Sequence, residues 1–320
     1  METNITIPTY NRELCIDKAI RAALNQSYER TTVTVVDDGS TDGTRSVCER
    51  YFDDQRFNYI RLAENRGTAG AKNASLLLSK YDAITFHDSD DIPDQHKILK
   101  QQRALAMKGH VADPINDWES LGHQVNSELE IDVVFTGHKL IKANGQEFLI
   151  RKNISLLDDF FPHAQFPSQT AGDWVLVNSA LFRRTLFRKL GGYLDSIEED
   201  REIRNRLLAA GTITYFIDEP LVDKIEMGDS LTVAESTNYS ADWRRKDRAA
   251  VWERTKMYRK RLFGEGPDQP TIQDLIVPID LQVDIAEVSN RSLLSFNSDL
   301  PMTDRTRESF RSFADPVPVG

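Results

Sequence analysis

Cysteine is scarce in this sequence, where Cys15 and Cys48 are the only two among 320 residues. Both fall in predicted helices and form neither a metal-binding spacing nor a disulfide framework, which indicates a reducing compartment. Long apolar runs are also missing, because none approaches the roughly 20 residues that a membrane-spanning helix needs. The chain enters a predicted strand at Ile5, which leaves no room for a signal peptide. We therefore expect a soluble, cytoplasmic protein.

An excess of basic residues is missing as well. The chain has 40 Lys and Arg against 50 Asp and Glu, a formal net charge of −10, and a pI of about 5.2. This balance argues against non-specific nucleic-acid binding, which usually needs a basic surface. The sequence also lacks a P-loop, a His-Glu-x-x-His motif and a Gly-x-Ser-x-Gly nucleophile elbow. A nucleotide could still bind such an acidic chain through a bridging metal ion.

Strands and helices alternate in the first third of the chain. The short connections between them predict an α/β fold with a mostly parallel sheet covered on both faces. Pro93 is predicted to lie in the first turn of the fourth helix. The predicted strands are 5–7, 32–36, 57–62, 83–86, 131–136, a hairpin within 138–150, a short strand at 175–177, and 212–217; later helices are predicted at 183–189, 199–209 and 243–263.

Two acidic clusters end predicted strands. Asp37 and Asp38 follow the second strand, and Asp88-Ser89-Asp90-Asp91 follows the fourth. Ligands of open α/β sheets bind at the carboxyl ends of strands, and close like charges repel unless a cation or ligand offsets them. The pattern predicts a site for Mg²⁺ or Mn²⁺ and a phosphorylated ligand. Taken singly, Asp38 could merely turn the chain and Asp91 could cap a helix.

Other polar residues could complete a nucleotide site at the same edge. Tyr10, just past the first strand, could cover a planar base whose imino N–H donates to an aspartate. The turn Asn65-Arg66-Gly67 leads into a helix whose N-terminus favours an anion, and Lys72 follows one turn later. Gly67 and its neighbours could equally be small packing residues at a helix start.

A further acidic group, Glu198-Glu199-Asp200, follows Gly191-Gly192-Tyr193. A carboxylate at this position could act as a general base. An acidic first turn is also favoured by the helix macrodipole alone, so a structural role stays open.

These motifs, in this order, resemble the inverting family 2 glycosyltransferases of the GT-A fold. The resemblance runs from Ile5 to about Ser230 and includes Val-Val-Asp-Asp-Gly-Ser-Thr-Asp, Asn-Arg-Gly-Thr-Ala-Gly-Ala-Lys-Asn, Asp-Ser-Asp-Asp, and the later Gly-Gly-Tyr and Glu-Asp segments with Arg206. It implies a Rossmann-like, mostly parallel sheet flanked by helices, followed by a helical or irregular C-terminal extension.

The resemblance also implies roles for individual residues. Asp200 would be the catalytic base, with Glu199 positioning the acceptor or a loop. Asp90 would ligate Mn²⁺ or Mg²⁺, and Asp88 would contact the ribose or the metal site. The other residues implied to bind the nucleotide sugar are Pro8, Thr9, Tyr10, Arg12, Asp37, Asp38, Asn65, Gly67, Lys72 and Ser89.

Two departures from the family pattern concern this site. Lys72 stands where the family often has arginine, which keeps the charge but loses the planar fork. Residues 226–230 lack the histidine that often completes the metal site, and Asp229 or a water could substitute for it.

The implied function is transfer of a sugar, with inversion, from a nucleotide-sugar donor, UDP being favoured, to a carbohydrate, lipid-linked or small-molecule acceptor. It would serve polysaccharide, glycoconjugate or glycosylated-metabolite synthesis. We expect a nucleotide-binding half at 1–108, an acceptor and catalytic half at 109–230, and an extension at 231–320. The basic helix 243–263 could touch the inner membrane face, although a solvated helix packed on the domain fits its pattern better. A homo-oligomer and a catalytically silent nucleotide-sugar-binding protein also stay open.

Overall fold

The computed structural model describes residues 1–110, 128–152, 154, 175–226, 242–264 and 266–313. Its strands are β1 (Thr3–Thr9), β2 (Thr31–Asp37), β3 (Phe57–Leu62), β4 (Ala83–Phe86), β5 (Ile92–Pro93), β6 (Lys108–His110), β7 (Glu128–Glu130), β8 (Val133–Ile141), β9 (Glu147–Ile150), β10 (Leu181–Arg183), β11 (Thr214–Ile225) and β12 (Ile285–Val288). Its helices are α1 (Ile16–Leu24), α2 (Thr44–Glu49), α3 (Gly67–Leu78), α4 (Lys97–Leu105), α5 (Arg184–Leu190), α6 (Glu199–Ala209), α7 (Asp242–Phe263) and α8 (Asp304–Ser309).

One mixed sheet carries most of these strands, in the order β12-β3-β2-β1-β4-β10-β8-β11-β5, with β9 paired to β8. The block β3-β2-β1-β4 is parallel throughout, and β8 runs parallel to β11. The single strand β10 joins the two blocks by antiparallel pairing with β4 and β8. The predicted mostly parallel sheet flanked by helices is therefore confirmed.

Apolar residues of the parallel block are buried on both faces of the sheet. Ile5 and Ile7 of β1 pack with Ile16 and Ile20 of α1 on one face. On the other face the apolar end of α3, residues 76–78, joins a larger core with β3, β4 and α6. Removing this apolar surface from water is the main force that holds the helices against the sheet.

Most predicted elements are confirmed, and two predictions are wrong. Pro93 does not open a helix; it lies in β5, where it pairs with Val222 of β11, and α4 begins at Lys97. Residues 175–177 form no strand, and the strand that follows them is β10. β11 continues well beyond its predicted end at Ile217, with irregular pairing to β8 around Pro220.

The C-terminal residues pack onto the same body. β12 pairs antiparallel with β3, and Ile279 and Leu281 lie in the large core. The division into units at 1–108, 109–230 and 231–320 stays a prediction, although the described part of the last segment shares this sheet and core. Of the helices described, none has the length and apolarity needed to cross a membrane.

Gly191 marks the closest crossing of the C-terminal segment over the domain. Its φ is +78°, and a Cβ there would lie 1.9 Å from the carbonyl oxygen of Val277. We expect Gly191→Ala to lower the free energy of unfolding by about 3 kcal/mol or more, because left-handed strain adds to a backbone clash.

Gly145→Ala is the matched control for this change. Gly145 has a φ of +82° and nothing within 4 Å of the added Cβ, so only the left-handed strain of about 1–2 kcal/mol applies. Urea unfolding of both variants measures the difference, and equal losses would contradict the close approach at Gly191.

Candidate active site

The ends of β1 and β2 bring the first polar residues together. Their parallel register pairs Thr9 with Asp37, and the Asp38 N–H donates to the Thr9 carbonyl at 2.8 Å. The Thr9 hydroxyl is buried and has no hydrogen-bond partner. Tyr10 is 44% exposed, which leaves its ring accessible at this edge.

The chain just after Tyr10 folds back onto the start of α2. Asn11 has a left-handed backbone with φ 52°, and the N–H of Arg12 donates to the Thr44 hydroxyl at 2.8 Å. Pro8 and Arg12 are half-buried. These residues therefore border the edge where β1 and β2 end.

The two adjacent aspartates have different surroundings. Asp37 is fully buried and accepts hydrogen bonds from the Ser40 N–H at 2.8 Å and from the Tyr59 hydroxyl. Asp38 is 3% exposed and accepts one from the Arg66 N–H at 2.6 Å. Burial raises the pKa of Asp38 to about 7, against the opposing effect of that N–H. Asp37 thus stabilises the turn after β2 by accepting the Ser40 N–H. Asp38, with its raised pKa, is the carboxyl whose charge changes near neutral pH.

The start of α3 is exposed, but the middle of the helix is not. Gly67 begins the helix with φ +72°, and its N–H donates to the Asn65 side chain at 3.2 Å. Lys72, one turn later, is fully buried. Its ammonium donates to Asn178 at 2.7 Å and to Glu199 at 2.8 Å. Lys72 therefore contacts the start of α6, and its predicted contact with the donor stays a prediction.

The strongest acidic cluster lies just past β4. Asp88, Asp90 and Asp91 each offer a carboxylate oxygen, and these oxygens all lie within 4.8 Å of one another. Ser89 between them is buried, with 7% exposure. The three aspartates that follow β4 thus lie close together, as their adjacent positions in the sequence predict.

A lysine that the sequence did not single out lies inside this cluster. The ammonium of Lys224, near the end of β11, is 3.0 Å from an oxygen of Asp88 and 3.6 Å from one of Asp91. Burial works to raise the pKa of Asp88, but the positive charges of Lys224 and Lys72 outweigh it and lower that pKa. Burial and the neighbouring Asp88 raise the pKa of Asp90.

The donor set of the cluster fits a divalent metal ion. Carboxylate oxygens are the ligands that Mg²⁺ and Mn²⁺ prefer. One oxygen of Asp91 is buried without a hydrogen-bond partner, although the Lys224 ammonium lies 3.6 Å from it, so this oxygen can accept a further contact from a donor or a cation. Asp229, the suggested further ligand, lies outside the described residues, as does part of the predicted acceptor and catalytic half at 109–230.

The first turn of α6 carries the candidate base. Asp200 is exposed, whereas Glu199 is 5% exposed. Burial raises the pKa of Glu199 to about 7, although the Lys72 ammonium opposes this. The exposed Asp200 can meet an incoming ligand, while the buried Glu199 holds the helix start to Lys72.

Asn178 joins the acidic cluster to this helix. Its amide nitrogen donates to Asp88 at 3.4 Å, and its oxygen accepts from Lys72 at 2.7 Å. A path of side chains thus runs from Asp88 through Asn178 and Lys72 to Glu199. Sequence reasoning missed Asn178 because it follows no recognisable element, and it missed Lys224 because the predicted strand ended at Ile217.

The basic helix α7 is tied to α6. Glu198 is buried and pairs with Arg244 at 3.1 Å and with Arg248 at 3.1 Å. Further along, Glu202 accepts from the Tyr258 hydroxyl and from Arg206. This packing agrees with the expectation that the helix lies on the domain.

Comparisons with known sequences agree with this arrangement. Residues 4–130 match the family described as Glycosyl transferase family 2. An uncharacterised glycosyltransferase of Haemophilus influenzae is 37% identical over 99 residues, which are 31% of this chain and 40% of that relative. The Escherichia coli UDP-Glc:alpha-D-GlcNAc-diphosphoundecaprenol beta-1,3-glucosyltransferase WfgD is 31% identical over 144 residues, 44% of this chain and 56% of that relative. The chain thus spans about half the length of these relatives.

A solved structure shares the fold. The crystal structure of S. aureus TarS 1–349 in complex with UDP-GlcNAc superimposes with a TM-score of 0.58 and 18% identity, over 81% of this chain and 67% of that one. The predicted GT-A-type fold is confirmed by this likeness. The predicted resemblance to family 2 is confirmed by the match over residues 4–130.

Asp38 should make the stability of the protein depend on pH. Its pKa rises from 3.8 to about 7 on folding, so the folded state binds more protons between these values, and stability is lost as the pH rises through them. We expect Asp38→Asn to be more stable than the wild type near neutral pH by about 1–4 kcal/mol, with the difference shrinking toward pH 4.

Urea unfolding at several pH values between about 4 and 8 measures this effect. Asp53→Asn is the control, because Asp53 is exposed. Stability curves of Asp38→Asn and wild type that run parallel across this range would show that Asp38 ionises normally.

Proposed function

We propose that this chain, whose residues 4–130 match glycosyl transferase family 2, is an inverting, metal-dependent glycosyltransferase with a UDP-sugar donor. One observation carries the proposal. The acidic cluster after β4 and the acidic start of α6 are joined through Asn178 and Lys72 at one edge of the sheet. These contacts support a donor site and a base site that lie near each other although they come from different parts of the chain.

The donor base would bind where β1 and β2 end. The exposed ring of Tyr10 can cover a planar base, and the Asp38 carboxylate can accept an imino N–H, which favours its ionised form. The edge where β1 and β2 end is bordered by Pro8, Thr9, Arg12, Asn65 and Gly67. A uridine nucleotide is supported by TarS, whose crystals contain UDP-GlcNAc, and by the E. coli relative, whose name specifies UDP-Glc.

The diphosphate would bind beside the acidic cluster. Asp90 and Asp88 would hold Mn²⁺ or Mg²⁺, which, when bound, offsets the negative charge that develops on the leaving diphosphate. Ser89 and Asp91 lie in the same turn. The aspartates thereby fix the leaving group at one side of the sugar.

Asp200 would act as the general base. It takes the proton of the acceptor hydroxyl while the hydroxyl oxygen forms a bond to the anomeric carbon of the sugar. The bond from that carbon to the diphosphate oxygen breaks, and its electron pair leaves with UDP. Because attack comes from the face opposite the leaving group, the configuration inverts. Glu199, held by Lys72 at 2.8 Å, keeps the first turn of α6 in place.

A lipid-linked sugar is the acceptor we propose, since the name of the E. coli relative specifies a diphosphoundecaprenol-linked sugar. Contact with an anionic membrane would use exposed basic residues near the end of α7, such as Lys260. A cytoplasmic location and self-association stay predictions.

Loss of the base should separate catalysis from donor binding. We expect Asp200→Asn to lower kcat at least about 100-fold, the usual contribution of a general base, with UDP-sugar affinity unchanged. UDP release from a panel of UDP-sugars in Mn²⁺ measures turnover, and calorimetry measures binding. Asp195→Asn, an exposed aspartate before the same helix, is the control. Full turnover by Asp200→Asn would remove this residue from the mechanism, and wild-type protein that binds donors without turnover would be the silent binding protein.

Loss of Asp90 should abolish the effect of metal on donor binding. In calorimetric titrations with UDP, Mn²⁺ should increase the affinity of wild-type protein, because the ion bridges carboxylates and diphosphate oxygens. We expect Asp90→Ala to bind UDP equally with Mn²⁺ and with EDTA. Asp53→Ala, an exposed site, should behave as wild type. A metal effect that survives in Asp90→Ala would show that Asp90 is not a ligand.

A further inference from the structure

Lys224 supplies the acidic cluster with a cation of its own. Its ammonium is 3.0 Å from Asp88 and 3.6 Å from Asp91, and its side chain is 22% exposed. The lysine reaches the cluster because β5, which follows the aspartates, pairs with β11 in the register Val222 to Pro93 and Asp223 to Ile92. The next residue of β11 therefore comes beside Asp91.

The charges of the cluster do not cancel with Lys224 alone. When all three carboxylates are ionised, as they would be around a bound metal ion, they carry −3 and the lysine +1, which leaves −2. Asp90 takes part in none of the ion pairs described for Lys224, which involve Asp88 and Asp91. One divalent ion at Asp90 would balance the remainder, so the lysine and a metal ion can share the site.

We propose that Lys224 is a second, permanent cation of the diphosphate site, binding donor phosphate oxygens directly and reducing the dependence of nucleotide binding on metal. The inference rests on the proposed function. An ammonium has three donors. Asp88 accepts one of them, the nearby Asp91 attracts a second, and the third would donate to a phosphate oxygen that approaches the partly exposed side chain.

This role makes two predictions of opposite sign. Without Lys224 the protein should bind UDP more weakly when no metal is present, because a cation facing the phosphates is lost. The unliganded protein should at the same time bind Mn²⁺ more tightly, because three carboxylates no longer share a lysine. A lysine that only neutralises the aspartates would give the gain in Mn²⁺ affinity without the loss of UDP affinity in the absence of metal.

The test uses the full chain with UDP and MnCl₂ as probes. UDP is titrated calorimetrically in EDTA and in Mn²⁺, and Mn²⁺ binding to unliganded protein is followed by electron paramagnetic resonance. The variants are Lys224→Met and Lys224→Arg, the second of which keeps the charge. Lys139→Met is the matched control, because it removes the same charge from the same sheet. Lys139 pairs with Asp223 and Glu147 and not with the acidic cluster.

We expect wild-type protein to bind UDP in EDTA. Lys224→Met should bind UDP at least about tenfold more weakly in EDTA, with a smaller loss of UDP affinity when Mn²⁺ is present. Unliganded Lys224→Met should bind Mn²⁺ itself about tenfold more tightly. Lys224→Arg and Lys139→Met should remain close to wild type. Unchanged UDP affinity of Lys224→Met in EDTA would overturn the inference, whatever its Mn²⁺ affinity, and leave the proposed function standing. Wild-type protein that binds no UDP even with Mn²⁺ would overturn both.

Discussion

Charge balance at the end of β4 is the constraint on which the site depends. Carboxylate oxygens of Asp88, Asp90 and Asp91 lie within 4.8 Å of one another, in a partly buried place where water screens their repulsion poorly. Lys224, from a strand far along the chain, offsets part of this repulsion by pairing with Asp88. The two-residue strand β5 makes this possible, because its pairing with β11 sets the lysine beside the aspartates. The pairing of this short strand thus decides which cation neutralises part of the acidic cluster.

A second set of charges joins α6, which carries the proposed base Asp200, to the rest of the domain. Lys72 is fully buried and would be costly to desolvate alone. Its bonds to Asn178 and Glu199 satisfy it, and they tie α3 to the first turn of α6. From the other side, buried Glu198 is held by arginines of α7. The exposed Asp200 therefore sits on a helix start that is fixed from two directions, which suits a residue that must meet a ligand in one geometry.

Much of the fold up to β4 was predictable from local patterns. Each strand from β1 to β4 is a short apolar run closed by turn residues. The proximity of Asp88, Asp90 and Asp91 followed from their positions in one turn after β4. Pro93 was misassigned because proline suits the first turn of a helix as well as a short edge strand, and only the partner Val222 decides between them. Lys224 and Asn178 carried no local signal.

Local patterns in the chain are enough to predict the alternation of strands and helices, the strand ends that carry acids, and the family resemblance, because hydrophobic period and turn chemistry act between near neighbours. The three-dimensional arrangement is needed to know which cation contacts those acids, which carboxylates are buried, and that Lys72 contacts Glu199. These contacts depend on the register between strands that are distant in sequence and on burial. Burial matters because charges interact more strongly where water is excluded. The residue type of Lys224 does not predict its role, which follows from its position beside Asp91.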